Sequence, residues 1–330
     1  MAEPKEKVKV TEKSRGKLVT LAKLREGTTK SFDGTTIAYR SFGKSRGSDP
    51  TIVCCNGLGV GTFFWNYLEK HFRTNYQVVT WDYRGHGKSS LKNDKKNYSL
   101  EAIVKDGKAV IQALGIKKAI FVGHSLGVQV SLELYRRWPE LFAGMVLCFG
   151  TYARPLDTFY NIGWSRHLFQ VIYKIASTFP TQSNFFSQML LDNPLSFWMG
   201  GLLKMQHTGM IKKEDNEKYI KHILNVDPIF FTSLLKSAQE HSAEDVLKKV
   251  KVPTLIITGE LDQFTPMWLS KKMNRLIRDS EIFIMKNATH AGLVEQPDLI
   301  NLRIEKFMRE RIKRKKKSKV AQKSSPKIAA

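Results

Sequence analysis

Ala119-Ile-Phe-Val-Gly-His-Ser-Leu-Gly-Val-Gln-Val-Ser-Leu-Glu-Leu-Tyr-Arg-Arg-Trp138 decides the architecture. Its first six residues form a nearly continuous apolar run, as in a strand buried on both faces. From Leu126 the apolar positions recur at helical spacing until the chain meets Pro139. Between the two lies Gly123-His124-Ser125-Leu126-Gly127, a tight strand-to-helix turn whose glycines leave room that side chains would obstruct. Such a turn lifts the serine hydroxyl above the sheet. The following helix points its first N–H groups at the same place, where they favour negative charge.

The same strand–helix alternation extends in both directions. Upstream, Leu18–Phe32 and Thr35–Phe42 flank Asp33-Gly34 and read as an antiparallel hairpin. Thr51–Asn56 and Gln77–Asp82 read as buried strands, and Phe63–Phe72 as an amphipathic helix. Ser99–Leu114 begins with a partial capping box, because Ala102 stands where a Glu would complete it, and Gly115 ends the helix. Downstream, Gly144–Gly150 is another buried strand. After a gap come the strand Thr254–Glu260, a helix from Met267, the strand Glu281–Met285 and a last helix near Asp298–Ile312.

Repeated βα units predict an α/β fold with a mostly parallel sheet of about eight strands flanked by helices. The gap, residues 151–245, is rich in Phe, Tyr, Trp and Met at helical spacing. It predicts an inserted helical cap, or lid, over the carboxyl ends of the strands, where such sheets bind ligands. The expected organisation is a basic leader over 1–16, a core over 17–150 and 246–312, the cap, and a basic, disordered tail over 313–330.

Composition narrows the class. Of the 330 residues 42% are hydrophobic and 11% aromatic, as suits a buried core. Cys54, Cys55 and Cys148 are too few for a disulfide framework and sit in apolar runs, so buried reduced thiols and a reducing compartment are expected. The first residues lack the apolar stretch of a secretory signal. The most apolar segment, Phe185 to Met205, is broken by Asp192, Asn193, Pro194 and two glycines, which argues against a transmembrane span. A soluble, cytoplasmic protein is expected.

The formal net charge is +24, much of it at the ends: Arg309 to Lys327 holds ten basic residues against one Glu. Two readings of this tail stay open: a solvated terminus that aids solubility, and loose contact with an anionic membrane or polyanion at the periphery of the cell's membranes. No nucleic-acid recognition motif accompanies the charge.

A serine hydroxyl is a poor nucleophile at neutral pH, so a base must take its proton and a third group must orient the base. Of the eight histidines His290 fits best, in a loop between a strand and the last helix. Asp262 follows the strand Thr254–Glu260. Glu260 and Asp157 are alternatives for the acid. The order Ser, Asp, His along the chain matches the order expected of this kind of fold.

Four motifs together resemble the α/β-hydrolase superfamily from about Gly34 to Met308, apart from the insert. They are Asn56-Gly57-Leu58-Gly59; Asp82-Tyr83-Arg84-Gly85-His86-Gly87-Lys88-Ser89; the turn at Ser125; and Asn287-Ala288-Thr289-His290 leading to Glu295-Gln296-Pro297. The resemblance implies a Ser125–His290–Asp262 triad, with an oxyanion hole made by the backbone N–H groups of Leu58 and Leu126. Losing one such donor typically costs ~10²–10³ in rate. The family more often has His-Gly where this chain has Asn56-Gly57. Asp82, Arg84, His86 and His124 match positions that mainly support loops. A serine nucleophile separates the chain from haloalkane dehalogenases and epoxide hydrolases, which use aspartate, and from the cysteine of polyester synthases.

The expected function is an esterase or lipase-like hydrolase working through a serine acyl-enzyme. Its substrate would be a small lipophilic ester held under the apolar insert, with no metal or organic cofactor. Three alternatives remain: transfer of the acyl group to an alcohol or thiol, or carbon–carbon cleavage, by the same triad; a non-catalytic ligand-binding protein on this scaffold; and attachment through the basic ends as the main function.

Overall fold

Strands with continuous apolar runs must pair edge to edge and bury both faces, and the order in which they pair sets where a site can form. The computed structural model describes residues 24–43, 49–193 and 195–313. The strands are β1 (Leu24–Lys30), β2 (Thr36–Phe42), β3 (Thr51–Cys55), β4 (Val78–Trp81), β5 (Ala119–His124), β6 (Phe142–Cys148), β7 (Thr254–Gly259) and β8 (Ser280–Met285). They form one sheet in the order β1-β2-β4-β3-β5-β6-β7-β8. The first two pairings, β1 with β2 and β2 with β4, are antiparallel and the rest parallel. The expected α/β class and mostly parallel eight-stranded sheet are therefore present.

The helices are α1 (Asn66–Phe72), α2 (Leu100–Ala113), α3 (Leu126–Arg137), α4 (Ser165–Thr178), α5 (Pro180–Leu191), α6 (Leu195–Leu202), α7 (Lys213–Ile223), α8 (Pro228–Glu240), α9 (Glu244–Leu247), α10 (Met267–Leu276), α11 (Gly292–Glu295) and α12 (Pro297–Phe307). One face of the sheet is covered from α2, α3 and α10 by Ile103, Val110, Leu134, Leu269 and Met273. The other is covered by Leu68 and Phe72 of α1 and by Ile300, Ile304 and Phe307 of α12.

Boundaries differ from the sequence reading where backbone hydrogen bonding overrides hydrophobic pattern. The helix expected over Phe63–Phe72 is a 3₁₀ turn at Thr62–Trp65 followed by α1. The last helix ends at Phe307 and continues as a wider π turn over Met308–Lys313. Phe32, assigned to the first hairpin strand, is an exposed turn residue, and the part of that strand before Leu24 lies outside the described residues. So do the basic leader over 1–16 and the basic tail from 314 onward. Ser99 does cap α2, accepting the Ala102 N–H at 3.3 Å. The three cysteines are free and buried.

Helices α4 to α8 occupy the gap between β6 and β7. α7 and α8 press on the loops after β3 and β4: Ile223 and Phe231 border Gly59, and the His222 ring borders Gly61. The first three helices of the block behave otherwise. The aromatic-rich insert predicts a cap over the strand ends with its apolar surface turned to the ligand. Instead Trp164, Phe185, Phe186 and Trp198 are 60–66% exposed. Helical spacing identifies an apolar face but not which surface covers it.

Candidate active site

The turn after β5 is built by close backbone approach. A Cβ on Gly123 would lie 2.4 Å from the Gly127 carbonyl oxygen, and one on Gly127 would lie 2.1 Å from that of Cys55. No side chain fits at either place. Ser125 is held between them at φ 54°, ψ −116°, a backbone conformation that costs an L-residue of order 1–3 kcal/mol. Its N–H bonds the Cys148 carbonyl at 3.1 Å, locking the turn to β6.

The structure brings Ser125, His290 and Asp262 together at the carboxyl ends of β5, β8 and β7. His290 Nε2 lies 2.9 Å from Ser125 Oγ. Its Nδ1 lies 3.2 and 3.1 Å from the two oxygens of Asp262. A carboxylate only accepts hydrogen bonds, so Nδ1 carries the imidazole proton and Nε2 is left to accept from the serine hydroxyl. Asp262 is buried and also accepts the N–H groups of Phe264 and Thr265, both at 2.9 Å, and the Thr265 hydroxyl at 2.8 Å. Burial pushes its pKa up, but the His290 charge and hydrogen bond and the Thr265 donors outweigh it. The carboxyl is held below the usual carboxylate range.

The two alternative acids are elsewhere. Glu260 faces solvent and accepts the Asn287 N–H at 3.3 Å, and Asp157 accepts the Gln239 amide at 2.7 Å.

Leu58 follows Gly57, whose Cβ position would fall 3.3 Å from Ser125 Cβ, so this loop passes directly over the serine. Leu126 is the first residue of α3, where an N–H has no partner within the helix. Among the described residues neither N–H is taken by another hydrogen bond. The loop is fixed from below by Asn56, in place of the family's more usual histidine. Its amide donates to the Trp81 carbonyl at 2.8 Å and its oxygen accepts the Trp65 indole N–H at 2.7 Å.

His86 holds the loop from the side. Its Nδ1 lies 3.1 Å from the Arg84 carbonyl and its Nε2 accepts the Gly59 N–H at 3.2 Å. Accepting at Nε2 requires a neutral ring, and burial, reinforced by His222, pushes its pKa down to about 4. Asp82 accepts the N–H groups of Thr62 at 2.9 Å and Lys88 at 3.0 Å. Arg84 is buried in a bidentate pair with Asp106, at 2.7 and 2.6 Å, and bonds Asp33 at 2.8 Å. His124 donates from Nε2 to the His290 carbonyl at 3.1 Å, and burial followed by the nearby His290 charge pushes its pKa down to about 3. These four residues sit behind the loops, as expected.

Three further residues shape the site, of which only Glu295 lies within one of the four motifs. Thr265 anchors Asp262, and the Asp262-x-x-Thr265 spacing is a legible turn signal. The Phe264 ring lies 4.9 Å from that of His290. Glu295 accepts the Thr289 N–H at 2.9 Å, the Thr289 hydroxyl at 2.6 Å and the His207 N–H at 2.7 Å, tying the His290 loop to the insert. No sequence pattern announces that link. Among the described residues no group of three or more His, Cys, Asp or Glu side chains is placed to hold a metal ion.

A doubly flanked parallel sheet with a strained serine turn at the end of its central strand defines the hydrolase class of this architecture. The family model described as alpha/beta hydrolase fold matches residues 50–297, and the chain belongs to that family. It is similar to the uncharacterized hydrolase YugF of Bacillus subtilis, with 24% identity over 84% of this chain and 96% of that protein. It is also similar to epoxide hydrolase 4 of Homo sapiens, with 24% identity over 81% of this chain and 74% of that one. The enol-lactonase of Burkholderia xenovorans superposes with a TM-score of 0.71 over 86% of this chain and all of its own, at 20% identity, a likeness of fold.

Proposed function

We propose that the protein is a serine hydrolase that cleaves carboxylic esters of lipophilic character. The observation that carries this reading is the hydrogen-bonded line from Ser125 Oγ through His290 to Asp262. In the proposed cycle His290 Nε2 takes the Ser125 proton as Oγ bonds to the ester carbonyl carbon. The carbonyl π pair moves onto oxygen, and the Leu58 and Leu126 N–H groups stabilise that charge. The tetrahedral species collapses, breaking the carbon–oxygen bond, and His290 passes its proton to the departing alkoxide. Water then attacks the acyl-enzyme by the same steps in reverse order and releases the acid. Asp262 keeps Nδ1 protonated and stabilises the imidazolium formed in each half.

Serine at the nucleophile position supports acyl chemistry over the epoxide opening named for one relative. The lipophilic preference rests on the apolar groups that do border the site: Phe264 against His290, Phe159 against Phe264, and Ile223 and Phe231 against Gly59. In this reading α7, α8 and the segment around Phe159 serve as the lid.

The test is labelling with a fluorophosphonate probe, expected for the wild type and absent in Ser125→Ala. A nitrophenyl ester series of increasing acyl length should then show turnover rising beyond acetate. An unlabelled but folded wild type would overturn the catalytic reading, and strict preference for acetate the lipophilic one. Ester formation from an added alcohol would move the reading from hydrolysis to acyl transfer.

A further inference from the structure

The exposed face of α4 to α6 has no counterpart in the proposed chemistry. In α4, which packs on α5 and α8, Ser165 and Ala176 are buried and Phe169 and Tyr173 half-buried. A second stripe, Leu168, Val171, Ile172, Ile175 and then Phe179, repeats at i, i+3, i+4, i+7 and i+11 and faces water. The apolar arc of this helix is thus wider than the part that packs. The next two helices also expose large apolar side chains: Phe185 of α5, which packs on α4, and Trp198 and Leu202 of α6 are 63%, 66% and 85% exposed. Exposed large apolar side chains concentrated in one segment of the chain mark an interaction site.

Charge selects the partner. Between residues 158 and 213 the sequence has five Lys or Arg and a single acidic residue, Asp192. Arg166, Lys174 and Lys204 are exposed beside the apolar face, where long basic side chains can reach lipid phosphates while their stems lie on apolar surface. Tryptophan and phenylalanine flanked by lysine is the composition of an interfacial helix. A second copy would bring the same excess of positive charge to the same face, which disfavours self-association. Backbone strain brackets the segment: Tyr160 and Asn161 before α4, and Lys204 after α6, all have positive φ. Among the described residues no helix is long and apolar enough to span a bilayer, so the contact is one of lying on a surface.

We propose that the outer face of α4–α6 is a docking surface for an anionic lipid bilayer, holding the protein at the interface. This proposal does not depend on the ester reading.

The test is co-sedimentation of the full chain with phosphatidylcholine vesicles with and without phosphatidylglycerol. Wild type should partition onto the mixed vesicles and much less onto neutral ones. The triple variant Phe185→Gln, Trp198→Gln, Leu202→Gln should partition at least about tenfold more weakly, with an unchanged thermal melt, because all three side chains are exposed. The pair Arg166→Glu and Lys174→Glu should weaken binding to mixed vesicles only. The proposal is overturned if wild type stays in the supernatant with both vesicles. It is equally overturned if the triple variant binds as wild type does. A lipid-free dimer of the wild type that the triple variant dissociates would assign the face to a second copy instead.

Discussion

Ser125 carries both the proposed chemistry and a measurable strain. Its φ of 54° with ψ −116° suits glycine and penalises every other residue. Ser125→Gly should therefore abolish ester turnover while raising the thermal midpoint, with a stability gain of about 1 kcal/mol. Equal or lower stability would mean that the turn is not strained in solution. Asp262→Asn tests the orienting carboxylate. It should leave the fold intact and lower kcat by up to about 10⁴, because the amide favours the wrong imidazole tautomer. The buried histidines make a prediction about stability. His86 and His124 have pKa values pushed from 6.5 down to about 4 and about 3, so between those values and 6.5 the unfolded chain binds protons that the folded chain refuses. Stability from each is fully present above 6.5 and is lost as the pH falls toward the folded value. Denaturant titrations across that window should show a slope carrying about one proton from each of these histidines. Removing one by His86→Gln, which keeps an acceptor for the Gly59 N–H, should lower the slope by one. An unchanged slope would place that proton elsewhere.

Among the elements, the serine turn depends most directly on backbone contact. Gly127→Ala would set a Cβ 2.1 Å from the Cys55 carbonyl oxygen, a backbone atom of the central sheet that cannot step aside. Its cost should exceed about 3 kcal/mol, read as loss of soluble protein or a collapsed denaturation midpoint. Gly115→Ala at the end of α2 meets no atom within 4 Å and bears only the cost of its positive φ, about 1–2 kcal/mol. Near-equal losses would contradict the close approach of β3 and α3. That turn was legible in the sequence because buried strand, glycine pair and amphipathic helix all specify the same geometry. So were the parallel strands, whose continuous apolar runs have no other stable home. The positions of Ser125, His290 and Asp262 at three strand ends followed from strand order. What the sequence hid were relations between elements. Nothing near Glu295 signals that its carboxylate reaches the His207 N–H across the insert. The apolar periodicity of α4 is the same whether its outer stripe meets protein, lipid or water.

For the molecule as a whole these relations imply two grades of stability in one chain. The sheet from β3 to β7 is buried along its length, and residues from both covering layers close over it. Helix α4 buries only Ser165 and Ala176, and α6 no residue at all. Burial of apolar area is the main source of cooperative stability, so a segment with little of it opens at a small fraction of the global cost. Helix α8 stands between these limits, since its Phe230, Thr232, Leu234 and Ala238 are buried. Hydrogen exchange followed by mass spectrometry should resolve this ranking in the lipid-free protein. Amides of β5, β6 and β7 should exchange only with global unfolding, α8 more readily, and α4 and α6 fastest, with protection lower by several orders of magnitude. Anionic vesicles should then slow exchange in α4–α6 alone, because a surface that covers those helices leaves the sheet untouched. Uniform protection across sheet and insert without lipid would show that the outer helices are held by contacts this structure does not contain, and would remove the grounds for treating them as a separately opening unit.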